Sequence, residues 1–374
     1  MRTRTLVQYG ALTLAMIGVL AGAPADAAGQ TRAEIAEAGR KASPRTAEEA
    51  AKFFEEEVAK KTAEATARVY DPTRPHANPS MRTPWGDPDL RGYWLSLSYT
   101  PLERPEKFAN KPLLTPQEAI EFFVEAVNAD AAVDPATVHY DWKEFGMDTW
   151  QSPVRPNRRS GLIIDPANGR LPALSPEGEK RRVAAAAAAK IRNPETGVST
   201  LPNLYTRCIT GNQGPPRLPF NHDSESQIVQ TPGYVIILTQ SNNDARIVPL
   251  DGRPHLPSQI RTWLGDSRGR WEGNTLVVET TNFHPERVWR GATGDMRLVE
   301  RFTRVDGDTI SYQITVEDPK TWTQPWTAEI PWPRIEPPLF EFACHEQNYG
   351  VINVVTGAQI RATEGRPPAR GGDN

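Results

Sequence analysis

Between Leu298 and Glu317 the chain alternates with a period of two. Ile310, Tyr312, Ile314 and Val316 fall on one side of the final run, and Ser311, Gln313 and Thr315 on the other. A helix would scatter these residues around its circumference, whereas a strand sends successive side chains to opposite faces. Asp306-Gly307-Asp308 separates this run from Leu298–Val305, and such a turn between two alternating runs predicts a β-hairpin. Upstream, the segment from Arg268 turns at Glu272-Gly273-Asn274 into Thr275–Thr281. Tyr234-Val235-Ile236-Ile237-Leu238 reads as a strand buried on both faces. Consecutive hairpins with short turns predict a mainly β fold, an antiparallel meander that closes as a lipocalin-like barrel or a strongly curved sheet. There is no βαβ alternation and no Gly-rich phosphate loop, which argues against nucleotide chemistry and leaves no cofactor implied.

The rest of the chain divides around this core. Arg2 and Arg4, the short apolar stretch Ala11–Ala23 and Ala25-Asp26-Ala27 have the layout of a signal peptide over residues 1–27. Cleavage near Ala27 would make the protein periplasmic or secreted, and no later segment has the length of a transmembrane helix. Residues 28–70 read as a helical arm that opens at the capping box Thr46-Ala47-Glu48-Glu49. Its thin apolar stripe of Phe53, Phe54, Val58, Ala65 and Val69 suits packing or homo-oligomer formation. Residues 71–200 are mixed loop and helix packed on the core. They hold a first strand at Asp89–Trp94 and helices opening at Thr115-Pro116 and Ser175-Pro176. Residues 201–364 form the β core and residues 365–374 a disordered tail. The 35 prolines cluster between these elements, because a residue without an N–H is excluded from central strands.

Without residues 1–27 the chain carries 41 basic and 45 acidic residues, a balance that gives nucleic acid no electrostatic hold. In an oxidising compartment Cys208 and Cys344 are expected to pair, two buried thiols being the alternative.

The segment Arg261–Phe283 is the densest in specialised residues: two Trp, three Gly and three Arg run through a strand–turn–strand pattern. Together with Ser160-Gly161-Leu162-Ile163-Ile164-Asp165-Pro166, Arg246–His255 and Cys344-His345-Glu346 followed by Asn348-Tyr349, it resembles a large group of exported proteins of Gram-negative bacteria. The resemblance spans about Pro84 to Glu364. It implies export and leaves activity open.

Chemistry is therefore weighed residue by residue. The six His show no HxxxH or HxH pair, so no metal site is predicted. Gly265-Asp266-Ser267-Arg268-Gly269 has the letters of a nucleophile elbow but leads into a strand. It reads instead as a turn in which Asp266 and Ser267 cap backbone N–H groups and Gly269 supplies a positive φ. His222 and Asp223, His255, and Glu346 are the candidates for acid–base catalysis, each on a loop. Arg246, Arg253, Trp263, Arg301, Trp322, Trp326 and His345 are candidates for ligand binding. The arginines could equally be fasteners paired with Glu279 and Glu300, and Trp322 and Trp326 could plug one end of the fold. Two functions fit: an exported protein holding a small apolar or aromatic ligand inside the barrel, or a cofactor-free lyase, hydratase or isomerase working in the same cavity.

Overall fold

Ten strands form one antiparallel sheet in the computed structural model: β1 (Gly92–Leu95), β2 (Ile163–Asp165), β3 (Glu225–Thr231), β4 (Tyr234–Thr239), β5 (Ala245–Pro249), β6 (Asp266–Glu272), β7 (Thr275–Thr281), β8 (Arg297–Asp306), β9 (Thr309–Glu317) and β10 (Trp326–Ile335). Two helices flank it, α1 (Pro116–Ala131) and α2 (Pro176–Ala188). The structure describes residues 81–131, 154–188, 224–287, 289–336 and 339–346. Around these it describes 56, 59–60, 63, 66–74, 204–205, 207–210, 214–219, 348–349, 352–353, 356–357, 360 and 363–365, with backbone alone at 127–131 and 188. The chain divides into two units, residues 1–60 and 61–374. In the first, Glu56, Ala59 and Lys60 are helical. The signal-peptide pattern, the capping box at Thr46, the residues Phe53, Phe54, Val58 and Ala65, and the tail beyond Gly365 lie outside the described residues.

The strands run in the order β5-β4-β3-β1-β10-β9-β8-β7-β6, with β2 paired to β10 beside this path. The hairpin predicted from the period of two forms as β8–β9, with Phe302 opposite Tyr312 and Leu298 opposite Val316. β6 and β7 meet at the Gly273-Asn274 turn, where Gly273 takes a φ of +60°.

The meander does not close into a barrel. β5 and β6 lie at opposite ends of the strand order and share no ladder. The sheet curves until they meet through side chains: a Cβ on Gly269 of β6 would lie 2.7 Å from Val248 Cγ1 of β5 and 2.6 Å from Leu250 Cδ2. Apolar side chains occupy the seam where a closing ladder would run, so of the two expected outcomes the barrel does not form and the curved sheet fits.

Inside the curl, alternate residues of the strands build one core, against which Trp271 of β6 packs half-buried. Trp94, Leu276, Phe302, Tyr312, Trp326 and Trp332 are all fully buried in it. Tyr312 and Trp332 rings lie 4.4 Å apart, and Phe302 lies 4.9 Å from Tyr312. Each such side chain contributes about 1.5–3 kcal/mol by leaving water, and truncating Phe302 to alanine would cost about 3–5 kcal/mol. Trp322 and Trp326 belong to this core and plug it, Trp326 stacking on Trp289 and meeting Trp322 edge-on. β4 differs from expectation: Val235 and Ile237 face the core, but Ile236 and Leu238 are only half-buried and Tyr234 is exposed. A run of five apolar residues marks a strand without revealing that one face lacks a covering layer.

Both helices start where their caps predict. Thr115 and Glu118 form a reciprocal capping box on α1, and Ser175 Oγ accepts the Gly178 N–H on α2. Ala119 and Phe123 of α1 are buried, Phe122 stacks edge-on against Phe108, and the Val127 side chain lies outside the described residues. Ala184–Ala187 of α2 are exposed. Cys208 and Cys344 form the expected disulfide, with Cα atoms 5.7 Å apart across 136 residues of chain.

Candidate functional site

Three arrangements of charged side chains stand out, and they occupy different places in the fold. The first lies inside the curled sheet. Alternation points Arg246 of β5 and Glu300 of β8 inward, and they meet across the core in a two-pronged ion pair, one prong at 3.1 Å. Tyr312 donates to Glu300 Oε1 at 2.7 Å and accepts the Arg217 backbone N–H at 3.0 Å. Burial, with the Glu300 charge beside it, holds the Tyr312 hydroxyl well above its ordinary pKa. Arg287 donates to the carbonyls of Gly214 and Pro215, and burial lowers its pKa to about 10, Asp244 and Glu300 acting against that trend. With three donors converging on its carboxylate, Glu300 is engaged as a fastener. It ties an edge strand to the middle of the sheet, the structural role that pairing with Glu300 implied for Arg246.

The second arrangement is on the outer face at β6, β7 and β8. The loop before β6 folds back over the end of β7, with Thr262 paired to Phe283, and this carries His255 over the sheet. His255 Nδ1 lies 2.8 Å from Asp266 Oδ2, and Nε2 lies 3.5 Å from Glu279 Oε1. Asp266 also accepts the Leu256 N–H at 2.9 Å and a guanidinium N–H of Arg268 at 2.6 Å. Arg297 bonds Glu279 and reaches Glu317 at 2.9 Å. The Arg297 hydrogen bond holds the Glu279 carboxyl below its ordinary range, with burial opposing it. This geometry fixes the orientation of an imidazole between two carboxylates. Ser267, the serine of the elbow-like segment, turns inward to bond Thr280 at 2.9 Å. Asp266 caps a backbone N–H as expected, but the positive φ belongs to Gly265 at +73°, whereas Gly269 is needed for the close seam against β5.

The remaining candidates are scattered. Arg253 is exposed and pairs with Asp251 and the Tyr234 hydroxyl. Arg301 pairs with Glu272 at 2.9 Å on the outer face, and Trp263 lies tilted against His284 with ring centroids 3.9 Å apart. His345 and Glu346 are exposed beside the disulfide. His222 and Asp223 lie outside the described residues. Arg253 and His255 thus each have their own partners, Asp251 and Tyr234 for the first and Asp266 and Glu279 for the second. Among the described residues no three His, Cys, Asp or Glu side chains cluster as a metal ion requires.

The third arrangement has no counterpart among the sequence candidates. A cleft of about 570 Å³ opens outside the sheet, between residues 67–74, Arg155 and Arg158, and the β8–β9 turn. Tyr70 anchors the first of these segments, donating to Glu329 Oε1 on β10 at 2.8 Å, and Arg159 holds the other carboxylate oxygen at 2.7 Å. Arg158 bridges the walls, bonding Asp71 at 2.6 Å and the Leu114 carbonyl at 2.8 Å. The cleft joins stretches more than 80 residues apart in the chain, as the Arg158–Asp71 bond at a separation of 87 shows, so no local motif announces it.

The chain was compared with protein-family models, curated proteins and solved structures, and none of them matches. Among the described residues no helix is long and apolar enough to cross a membrane.

Proposed function

We propose that this chain is an exported protein that binds a small solute, and that the solute occupies the cleft beside the β8–β9 turn. The observation that carries this reading is the division of space between the two sides of the sheet. The inner face is packed with Trp94, Phe302, Tyr312, Trp326 and Trp332, where a lipocalin-like protein would hold an apolar ligand. The outer cleft offers about 570 Å³, within the roughly 300–1,000 Å³ typical of small-molecule sites. Export is supported by the leader pattern of residues 1–27, by the disulfide, and by the resemblance to exported Gram-negative proteins. Ala67 stands exposed on the cleft wall, so Ala67→Trp would fill the space from its rim. The test is native mass spectrometry of protein isolated from the periplasm. Wild type is expected to carry a small molecule that Ala67→Trp does not, with the two melting temperatures alike. Equal retention by both proteins would exclude the cleft.

A second reading, acid–base catalysis of the lyase, hydratase or isomerase kind, is favoured by the 2.8 Å contact of His255 with Asp266. His255→Gln should then abolish turnover and leave the melting temperature nearly unchanged. A large fall in melting temperature would make His255 a structural residue.

A further inference from the structure

We infer that the solute of this cleft is a monoanionic organic acid, and that Arg155 is the residue that binds its carboxylate. The inference rests on the cleft being a solute site and adds the chemical class. Its basis is a charge left over in the cleft wall. Four guanidinium groups, Arg68, Arg74, Arg155 and Arg158, face three carboxylates. Asp71 serves Arg158 at 2.6 Å and Arg74 at 3.8 Å, and also accepts from Thr73. Asp308 serves Arg68 at 3.1 Å. Asp306 accepts the Asp308 N–H at 2.7 Å, closing the turn. Arg155 is left over: it donates to the Thr309 hydroxyl at 2.7 Å, and among the described residues no carboxylate lies within ion-pair distance of it.

Arg155 is also half-buried, and burial pulls its pKa down, with Asp306 and Asp308 partly restoring it and Arg68 opposing. A guanidinium stays charged even so, and a partly desolvated cation with no carboxylate in contact is costly to keep unless something supplies the missing charge. The planar fork of Arg matches a carboxylate through two parallel N–H···O bonds. The surplus is a single charge, which one carboxylate neutralises. A phosphate dianion would overshoot it and meet repulsion from Asp306 and Asp308. Val69, Val305 and Pro116 give the same cleft an apolar wall, suited to a short hydrocarbon body attached to the acid.

The experiment is calorimetric titration of the full chain with hexanoate, hexanamide and inorganic phosphate. It is repeated on Arg155→Gln, Arg155→Lys and Ala67→Trp. Hexanoate is expected to bind at least about tenfold more tightly than the isosteric amide or phosphate, one such factor being the smallest a charge-assisted pair should supply. Arg155→Gln should lose that preference, Arg155→Lys should keep part of it, and Ala67→Trp should bind none of the probes. Unfolding of Arg155→Gln is followed in parallel, and a folded variant that still prefers hexanoate overturns the assignment of Arg155. Equal affinity for acid and amide, abolished by Ala67→Trp, overturns the organic-acid inference and leaves the cleft reading standing. Binding of phosphate in preference to hexanoate overturns the monoanion. Binding that Ala67→Trp does not affect, or no binding of any probe, removes both inference and cleft.

Discussion

Replacing Glu300 by alanine removes the carboxylate that Arg246 and Tyr312 share inside the sheet, and the consequence follows from their geometry. Arg246 keeps its place with 7% of its side chain exposed and loses both prongs of its ion pair, while the Tyr312 hydroxyl loses its acceptor. Stripping one partner from a buried pair costs about 3–5 kcal/mol, because the remaining charge stays desolvated. A buried hydroxyl without an acceptor adds about 1–3 kcal/mol. The terms overlap, since water drawn in by one would serve the other, so a loss of about 4–6 kcal/mol is expected. The double variant Arg246→Met/Glu300→Leu removes both charges and keeps only the hydroxyl penalty. It should be more stable than Glu300→Ala by about 2–4 kcal/mol, even though it carries more substitutions. Urea unfolding, with the slope checked for constancy, measures both differences. A Glu300→Ala loss below about 1 kcal/mol, or a double variant no more stable than the single one, would refute the claim that desolvated charge holds β5 to β8.

Two further predictions concern other fastenings. Unreduced protein should show no alkylatable thiol, and reduction of Cys208–Cys344 should lower stability, with an upper limit of about 5 kcal/mol for a loop of this length. Two reactive thiols in the native protein would contradict the pairing. Glu279 is held below its ordinary pKa of 4.5, chiefly by Arg297, so the unfolded chain takes up that proton first as pH falls. The stabilisation is complete above about pH 4.5 and is lost as pH drops through the lower folded value. Glu279→Gln should flatten the acid limb of a stability–pH curve, and an unchanged limb would place the responsible carboxylates elsewhere.

Local pattern made the elements legible, and it also reached part of the core. Glu300 sits at an inward position between Leu298 and Phe302, so a charge in a buried row is visible from alternation, and it was one of the two carboxylates offered to the arginines as partners. The caps at Thr115 and Ser175 located both helices for similar reasons, each being a contact within four residues. Closure was not legible, because it depends on how β5 and β6 meet after the whole sheet has curled. The one local trace is Gly269, whose missing side chain admits Val248 and Leu250. Arg217 and Arg287 lie on irregular segments with no period to betray an inward direction. The cleft was hidden for a related reason: Tyr70, Arg155 and Thr309 become neighbours only through the tertiary fold.

A barrel has no ends, but a sheet that stops at a seam keeps two. At β5 and β6 the backbone carries donors and acceptors with which no further strand pairs among the described residues, and a strand from another molecule could lengthen the sheet there without disturbing any existing pair. What stands in the way is local and slight. Pro249 offers no N–H, the charged Arg268, Arg270 and Glu272 line β6, and Val248 and Leu250 lie across Gly269. A handful of side chains at one edge thus governs whether each molecule remains a sheet of its own or becomes a link in a longer one.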